Sequence, residues 1–426
     1  MRRVLIVTST YAPAVLADTH RARLLAPDLK SWDWQTEILA AGVEFQRPDA
    51  IETDSMPFFD PAIAIHFAHP YGEGLFKLLN MRSIGWRAFL PLYLMGAKLL
   101  GRKRFDLVYI TTAQFNLFLL GWLWRLRFGV PYVLDFHDPW VREDAASYAT
   151  TTHKFKLLLS RLFAKPLEKF AVQAATGLVS VSPTYIAQLR RRYPRARSLK
   201  DERTQVIPFS GAERDFAVVP SKPTETETLE IFYVGAGGRI MEKSWRTLLS
   251  LLSNVAERQA QLLARLRFKF FGTEAFWKEG DKKFLVEVAR EYGLAHLVEE
   301  HPQRVSYFRV MEMIQSSAGL LILGVDDPAY MPSKLFTYSL TGKPLLVSLH
   351  RDSQANCYFQ EMPGLGHLVH FDDVPDVSPE EQLTMETFLE EVQAQKRFDR
   401  KRELEPYLSL AAARKHAEFF KRVLVT

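Results

Sequence analysis

Short apolar runs alternate with longer stretches of helical spacing along most of the chain. In the first half the apolar runs fall at 3–8, 36–39, 107–111, 132–136, 177–181 and 205–207. Helix-like stretches at 21–29, 82–100, 115–128 and 154–175 lie between them. This alternation predicts a doubly wound parallel sheet, because parallel strands need helical crossovers. Residues 221–228 are polar, contain proline and lack apolar side chains, which reads as a linker. The pattern then restarts, with strands at 229–234, 268–271, 297–299, 319–323, 344–348 and 367–371. Helices are expected at 245–266, 282–292, 307–316 and 333–340, and the chain from 379 onward reads as helix only, its last piece at 407–424. The expected class is α/β: two Rossmann-like doubly wound sheets facing a cleft, with a C-terminal helical tail and a ligand at the carboxyl ends of the strands.

Composition narrows this picture slightly. A chain of 426 residues suits two domains, and its hydrophobic (47%) and charged (24%) fractions are ordinary for a globular protein. The formal charge of +6 is compatible with a phosphate-bearing ligand or an anionic membrane face and selects neither. The single cysteine, Cys357, excludes an internal disulfide and a cysteine-based metal cluster, and fits a reducing cytoplasm. The apolar run after Arg2-Arg3 is too short for a signal-peptide core, and no stretch reaches the roughly 18 apolar residues of a spanning helix. A soluble or peripheral protein is expected.

Two segments of the second half carry candidate chemistry. Residues 331–347 (MPSKLFTYSLTGKPLLV) read as loop, short helix, turn and strand. Pro332 and Ser333 open the helix, with Ser333 as N-cap, and Gly342 closes it. A helix start above a parallel sheet offers unpaired N–H groups to a phosphate. The other segment, 233–239 (YVGAGGR), is a glycine-rich turn after a strand, followed by Lys243. Glycines let the backbone approach a phosphate, and Arg239 and Lys243 would neutralise it; the competing reading of the glycines is a plain tight turn.

Together these segments resemble the family 4 retaining glycosyltransferases of the GT-B fold. Pro332, Ser333, Lys334, Leu335, Phe336, Tyr338, Gly342, Lys343 and Pro344 match that family's P-S-K signature in register. Residues 235–243 resemble its G-R-x-x-x-x-K element, with the interval one residue short. The resemblance implies donor binding by Gly235, Gly238, Arg239, Lys243, Ser333, Lys334, Leu335 and Thr337. Thr337 stands where the family carries the glutamate that holds the donor ribose, and the paired glutamate falls on Ala329. Asp326 and Asp327 lie nearby as substitutes.

In the first half, 132–140 (YVLDFHDPW) resembles the family's strand ending in a histidine that touches the donor sugar. His137 and Asp138 are the catalytic candidates, His137 polarising a hydroxyl; the alternative is a structural His–Asp pair. Tyr11, His20 and Arg21 follow the first strand as an acceptor or phosphate loop, although Arg21 also reads as a solvated helix start. Basic and aromatic residues mingle through 67–128, which suits a membrane interface or a core with a charged rim.

The resemblance implies an N-terminal acceptor domain at 1–212, a donor domain at 229–378, and helices at 379–426 of which the last returns to the N-terminal domain. It implies a hexosyltransferase acting with retention, without a cofactor or metal. The partners are a nucleotide-diphosphate sugar and a glycan, lipid-linked or small-molecule acceptor, in polysaccharide or glycoconjugate biosynthesis. Nucleic acid is not expected. The location is cytoplasmic, with peripheral contact on the inner membrane face. The rival readings are a degenerate binding or scaffold protein and a nucleotide-sugar epimerase.

Overall fold

The computed structural model describes residues 1–78, 81–141, 164–219, 227–274, 277–372 and 377–425. Most of the expected linker at 221–228 and the first part of the expected helix at 154–175 lie outside these residues. The chain divides into two compact units, Met1–Pro208 with Ser409–Thr426, and Phe209–Leu408.

The first unit contains β1 (Arg2–Val7), β2 (Trp34–Ala41), β3 (Ala64–Ala68), β4 (Leu107–Thr111), β5 (Tyr132–Phe136), β6 (Gly177–Ser180) and β7 (Thr204–Val206). These strands form one parallel sheet in the order β3-β2-β1-β4-β5-β6-β7. The second unit contains β8 (Leu229–Val234), β9 (Leu266–Phe271), β10 (Val298–His301), β11 (Gly319–Leu323), β12 (Leu345–His350) and β13 (His367–Phe371). Its parallel order is β10-β9-β8-β11-β12-β13. Both orders begin 3-2-1-4-5-6, so each sheet reverses direction beside its first strand. Crossovers leave that point on opposite faces and open a crevice at the carboxyl ends of the two central strands.

The helices used below are α1 (Ala17–Leu25), α2 (Ile84–Arg102), α3 (Phe118–Phe128), α4 (Glu242–Arg258), α5 (Tyr307–Ser316), α6 (Leu335–Ser339), α7 (Pro379–Gln393) and α8 (Ser409–Val425). The helical tail is split between the units. α7 packs its Phe388 and Val392 over Gly319 of the second sheet. α8 belongs to the first unit, where Phe420 meets Trp34 edge-on at 5.5 Å.

Strands β4, β5 and β11 are buried along their whole length, which explains their unbroken apolar runs: helices cover both faces of a parallel sheet. On the first sheet the covering layer includes α2 and α3. They approach at Gly96, where an added Cβ would run into the Trp124 ring, while the Trp124 indole donates to the Tyr93 carbonyl at 3.2 Å. Trp124 is buried, so the ring has little room to yield. Gly96→Ala is expected to lower stability by about 1–3 kcal/mol despite alanine's better helix propensity. Urea unfolding of the two proteins measures the difference.

Candidate functional site

The crevice of the second sheet lies between the ends of β8 and β11. β8 runs into Gly235 and Gly238, both with positive φ, 139° and 72°, a region that side-chain-bearing residues rarely adopt. The space that a Gly235 side chain would fill is taken by the Lys334 ammonium. Lys334 comes from the loop after β11 and so reaches across the reversal point to the end of β8. Burial pushes its ammonium down to about 8, and no charged neighbour contributes to the shift. Among the described residues no carboxylate pairs with it.

A second link crosses the same point. Lys243, near the start of α4, places its Nζ 2.5 Å from Oδ2 of Asp326, which follows β11. The other carboxylate oxygen lies 4.0 Å from His350 Nε2 at the end of β12. Gly235, Lys243 and Lys334 are therefore brought to one crevice, with Asp326 and His350 added to them. Asp327 faces solvent and accepts from the Ala329 amide at 2.8 Å.

The remaining donor-side residues take other positions. Arg239 is exposed, with its guanidinium 5.2 Å from the Phe284 ring centroid. Ser333 is exposed and is not the N-cap: the helix starts at Leu335 with Lys334 in the cap position. The reason is local. The Leu335 amide closes a turn onto the Pro332 carbonyl at 3.2 Å, so the chain is still turning where a helix was expected. α6 has five residues, too few for a substantial macrodipole. The Leu335 side chain is core.

Thr337 faces neither Gly235 nor Lys334 through any bond; its hydroxyl accepts from the Ala212 amide at 3.2 Å. Beside it the Gly211 amide donates to the Tyr407 carbonyl at 2.9 Å, and the Phe336 ring lies flat against Tyr407 at 4.5 Å. α6 thus fastens the segments by which the chain enters and leaves the second unit.

In the first sheet the crevice between β1 and β4 is lined differently. Asp18 of α1 accepts from Thr8 at 3.2 Å, from Ser9, and from Thr112 at 3.5 Å, all buried. Arg21, read from sequence as an anion-binding residue, is buried one turn along α1. Its Nε donates to Asp135 at 3.0 Å, and its terminal nitrogens donate to the Ile207 and Pro208 carbonyls at 3.0 and 2.8 Å. Tyr11 is core, edge-on to Phe59 at 5.3 Å, and His20 Nδ1 accepts from Arg23 at 3.1 Å.

Asp135 sits near the end of β5, and its Oδ2 gathers four donors. Besides Arg21 these are Tyr109 at 2.6 Å, Thr111 at 3.0 Å and His137 Nε2 at 2.9 Å. Burial alone would raise this carboxyl, but Arg21 and His137 hold it well below the ordinary range. His137 Nε2 also lies 2.9 Å from the Thr111 hydroxyl, so one ring nitrogen is held by both groups. Asp138 is exposed. The histidine's structural partner is thus Asp135, two residues before it, rather than Asp138 alone. The network continues to α8, where His416 Nε2 lies 3.0 Å from the Tyr109 hydroxyl and Nδ1 donates to the Ala412 carbonyl at 2.7 Å. Burial, helped by Arg21, lowers the His416 imidazolium to about 3.

Glu274 was not anticipated: its carboxylate occupies the space beside Gly238. The sequence signal for it and for Asp326 is the same, an acidic residue just past the end of an apolar strand. The described residues contain no cluster of His, Cys, Asp and Glu suited to a metal ion.

Residues 7–209 match the family model of the glycosyl transferase 4-like domain. The whole chain has the GT-B glycosyltransferase fold. It is similar to the HepE protein of Anabaena in complex with UDP and glucose, at 13% identity and TM-score 0.60, covering 98% of this chain and 99% of that one. It is similar also to the N-terminal domain of trehalose-6-phosphate phosphatase from Candida albicans (12% identity, TM-score 0.61, 99% and 97% covered). A third similar structure is the UDP-forming trehalose-phosphate synthase of Burkholderia vietnamiensis (12% identity, TM-score 0.56, 100% and 99% covered). No curated protein sequence matches the chain.

Two outcomes test these assignments. Thr337→Val removes the acceptor for the buried Ala212 amide and is expected to cost about 1–2 kcal/mol in urea unfolding while leaving nucleotide affinity unchanged. His416 bears on pH. The unfolded chain takes up a proton at the ordinary value near 6.5, whereas the folded chain resists protonation down to about 3. Stability therefore falls as pH drops through that window, by about 1.4 kcal/mol per unit for this group. His416→Gln is expected to flatten the fall between pH 6.5 and pH 4.5 by about 2 kcal/mol.

Proposed function

We propose that this protein transfers a sugar from a nucleotide-diphosphate donor to a hydroxyl acceptor, with the donor diphosphate held at the carboxyl ends of β8 and β11. The observation that carries this reading is Lys334: a half-buried cation seated on the Gly235 turn, without a carboxylate partner among the described residues, at the ligand-binding position of a doubly wound sheet. A diphosphate supplies the missing counter-charge. Lys243 adds a second cation, and Asp326 and Glu274 are the carboxylates available for donor hydroxyls. The contrast with the first sheet supports the placement, since its crevice gathers hydroxyls around Asp18 and suits a neutral acceptor. His137, with its Nε2 held by Asp135 and Thr111, is the group we assign to polarising a hydroxyl.

We propose retention without a metal. The bond from the sugar's anomeric carbon to the phosphate oxygen breaks, and the acceptor oxygen bonds that carbon on the same face. The acceptor's proton goes to the departing phosphate, whose charge the two lysines stabilise. A glycan, lipid-linked or small hydroxyl compound fits as acceptor, and we place the reaction in the cytoplasm. HepE of Anabaena was solved with UDP and glucose, so uridine diphosphate sugars are the first donors to test. One observation favours a second reading, a binding protein without transfer: position 337, which holds the ribose in the resembling family, is here committed to Ala212.

Titration calorimetry with UDP is expected to show binding that Lys334→Ala weakens about 10–100-fold. The complex holds Lys334 charged, so affinity is expected to fall as pH rises above about 8 and to lose this dependence in Lys334→Ala. Absence of binding by every nucleoside diphosphate overturns the donor site. Binding without sugar transfer or donor hydrolysis selects the second reading.

A further inference from the structure

The turn after β8 holds two glycines with positive φ, and each is faced by a charge from another element. The Lys334 ammonium takes the space beside Gly235, and the Glu274 carboxylate takes the space beside Gly238. Lys334 follows β11 and Glu274 follows β9, the two strands that flank β8 in the sheet. Among the described residues neither side chain has an ion-pair or hydrogen-bond partner, and the two do not pair with each other. The backbone keeps Glu274 in register with the turn. The Gly235 amide donates to the Phe271 carbonyl at 2.8 Å, the Gly237 amide to the Thr273 carbonyl at 3.0 Å, and the Glu274 amide to the Pro302 carbonyl at 3.1 Å. The neighbouring carboxylates are committed. Asp326 binds Lys243, Asp327 accepts from the Ala329 amide, and Glu300 accepts from Thr273 at 2.7 Å and from the Leu285 amide at 2.8 Å.

We infer that Glu274 holds the ribose hydroxyls of the donor nucleotide while the diphosphate lies on Lys334; this rests on the donor site proposed above. A ligand that fits both charges carries an anion at one end and O–H donors beside it. The 2′ and 3′ hydroxyls of a ribose supply two such donors, and an ionised carboxylate accepts both. β8, α4 and β9 form one βαβ unit with its strands paired in parallel, and Glu274 stands just past its second strand. In dinucleotide-binding sheets one such unit supplies both contacts: the glycine turn takes the pyrophosphate, and an acidic residue later in the unit takes the ribose. The same division of labour accounts for position 337. Its threonine is bonded to Ala212, and the carboxylate the ribose needs comes from the opposite flank of β8.

The test is titration calorimetry of the full chain with UDP, GDP and ADP, each against its 2′,3′-dideoxy analogue, and with inorganic pyrophosphate. The unaltered protein is expected to bind a ribonucleotide about 10–100-fold more tightly than its dideoxy analogue, because a carboxylate placed for hydroxyls is left without them. Glu274→Gln is expected to bring the pair within about threefold. The same variant is expected to bind pyrophosphate as well as before or better, since a like charge beside the anion is gone. Thr337→Val is expected to keep the full discrimination. Glu274 has no side-chain partner among the described residues to lose, and an unchanged melting temperature establishes that the variant folds. The analogue comparison itself needs no variant. Equal binding of ribonucleotide and dideoxy analogue by the unaltered protein overturns the inference and leaves the diphosphate site standing. So does discrimination that survives in Glu274→Gln or disappears in Thr337→Val. Binding of none of these ligands, pyrophosphate included, overturns the donor site itself.

Discussion

The missing side chain at Gly235 sets the geometry of the second sheet's crevice. With φ at 139° the chain turns away from β8 and leaves a gap, and the Lys334 ammonium lies in that gap. A larger residue would push the lysine out and strain the turn. Lys243 with Asp326 then bridges the same strands a second time. Two cations from different crossovers thereby come to the point where the sheet reverses, one paired with a carboxylate and the other, among the described residues, with none. That asymmetry is what the proposed donor site rests on, since a fully paired set of charges would offer little to an anion.

The first unit builds its charged cluster on the opposite plan. Asp135 is buried and surrounded by donors from α1, β4, the end of β5 and, through Tyr109, α8. A buried carboxylate and guanidinium recover little net energy once desolvation is counted, but breaking one partner is costly. Such a cluster fixes which elements meet more than it adds stability. Here it holds α1 and the last helix against the same two strands and anchors His137 through its Nε2.

The parallel sheets were legible because burial on both faces writes itself as uninterrupted apolar runs, as in β4, β5 and β11. β3 was missed because AIHFA lies at the edge of the sheet and only its last residue is fully buried, so its pattern is weak. The glycine turn was legible from residue type, whereas Lys334 was singled out only by the family resemblance. The position of Ser333 was not legible, because a turn at Pro332 consumes the amide that a helix start would have offered. Arg21 looked like a solvated or anion-binding residue, and its partner Asp135 lies 114 positions away, beyond the reach of local pattern. Thr337 and Ala212 are 125 positions apart, and nothing in either neighbourhood announces the bond.

That bond has an evolutionary consequence. The one-turn helix α6 fastens the entry and exit segments of the second unit through Thr337 and Phe336, and the same turn carries the lysine of the crevice. Selection on this turn therefore acts on two traits together, how Lys334 is seated against Gly235 and how the chain crossing is anchored. A substitution at 337 without a compensating change near Ala212 would loosen that anchor, so substitutions at these distant positions are expected to covary in descent.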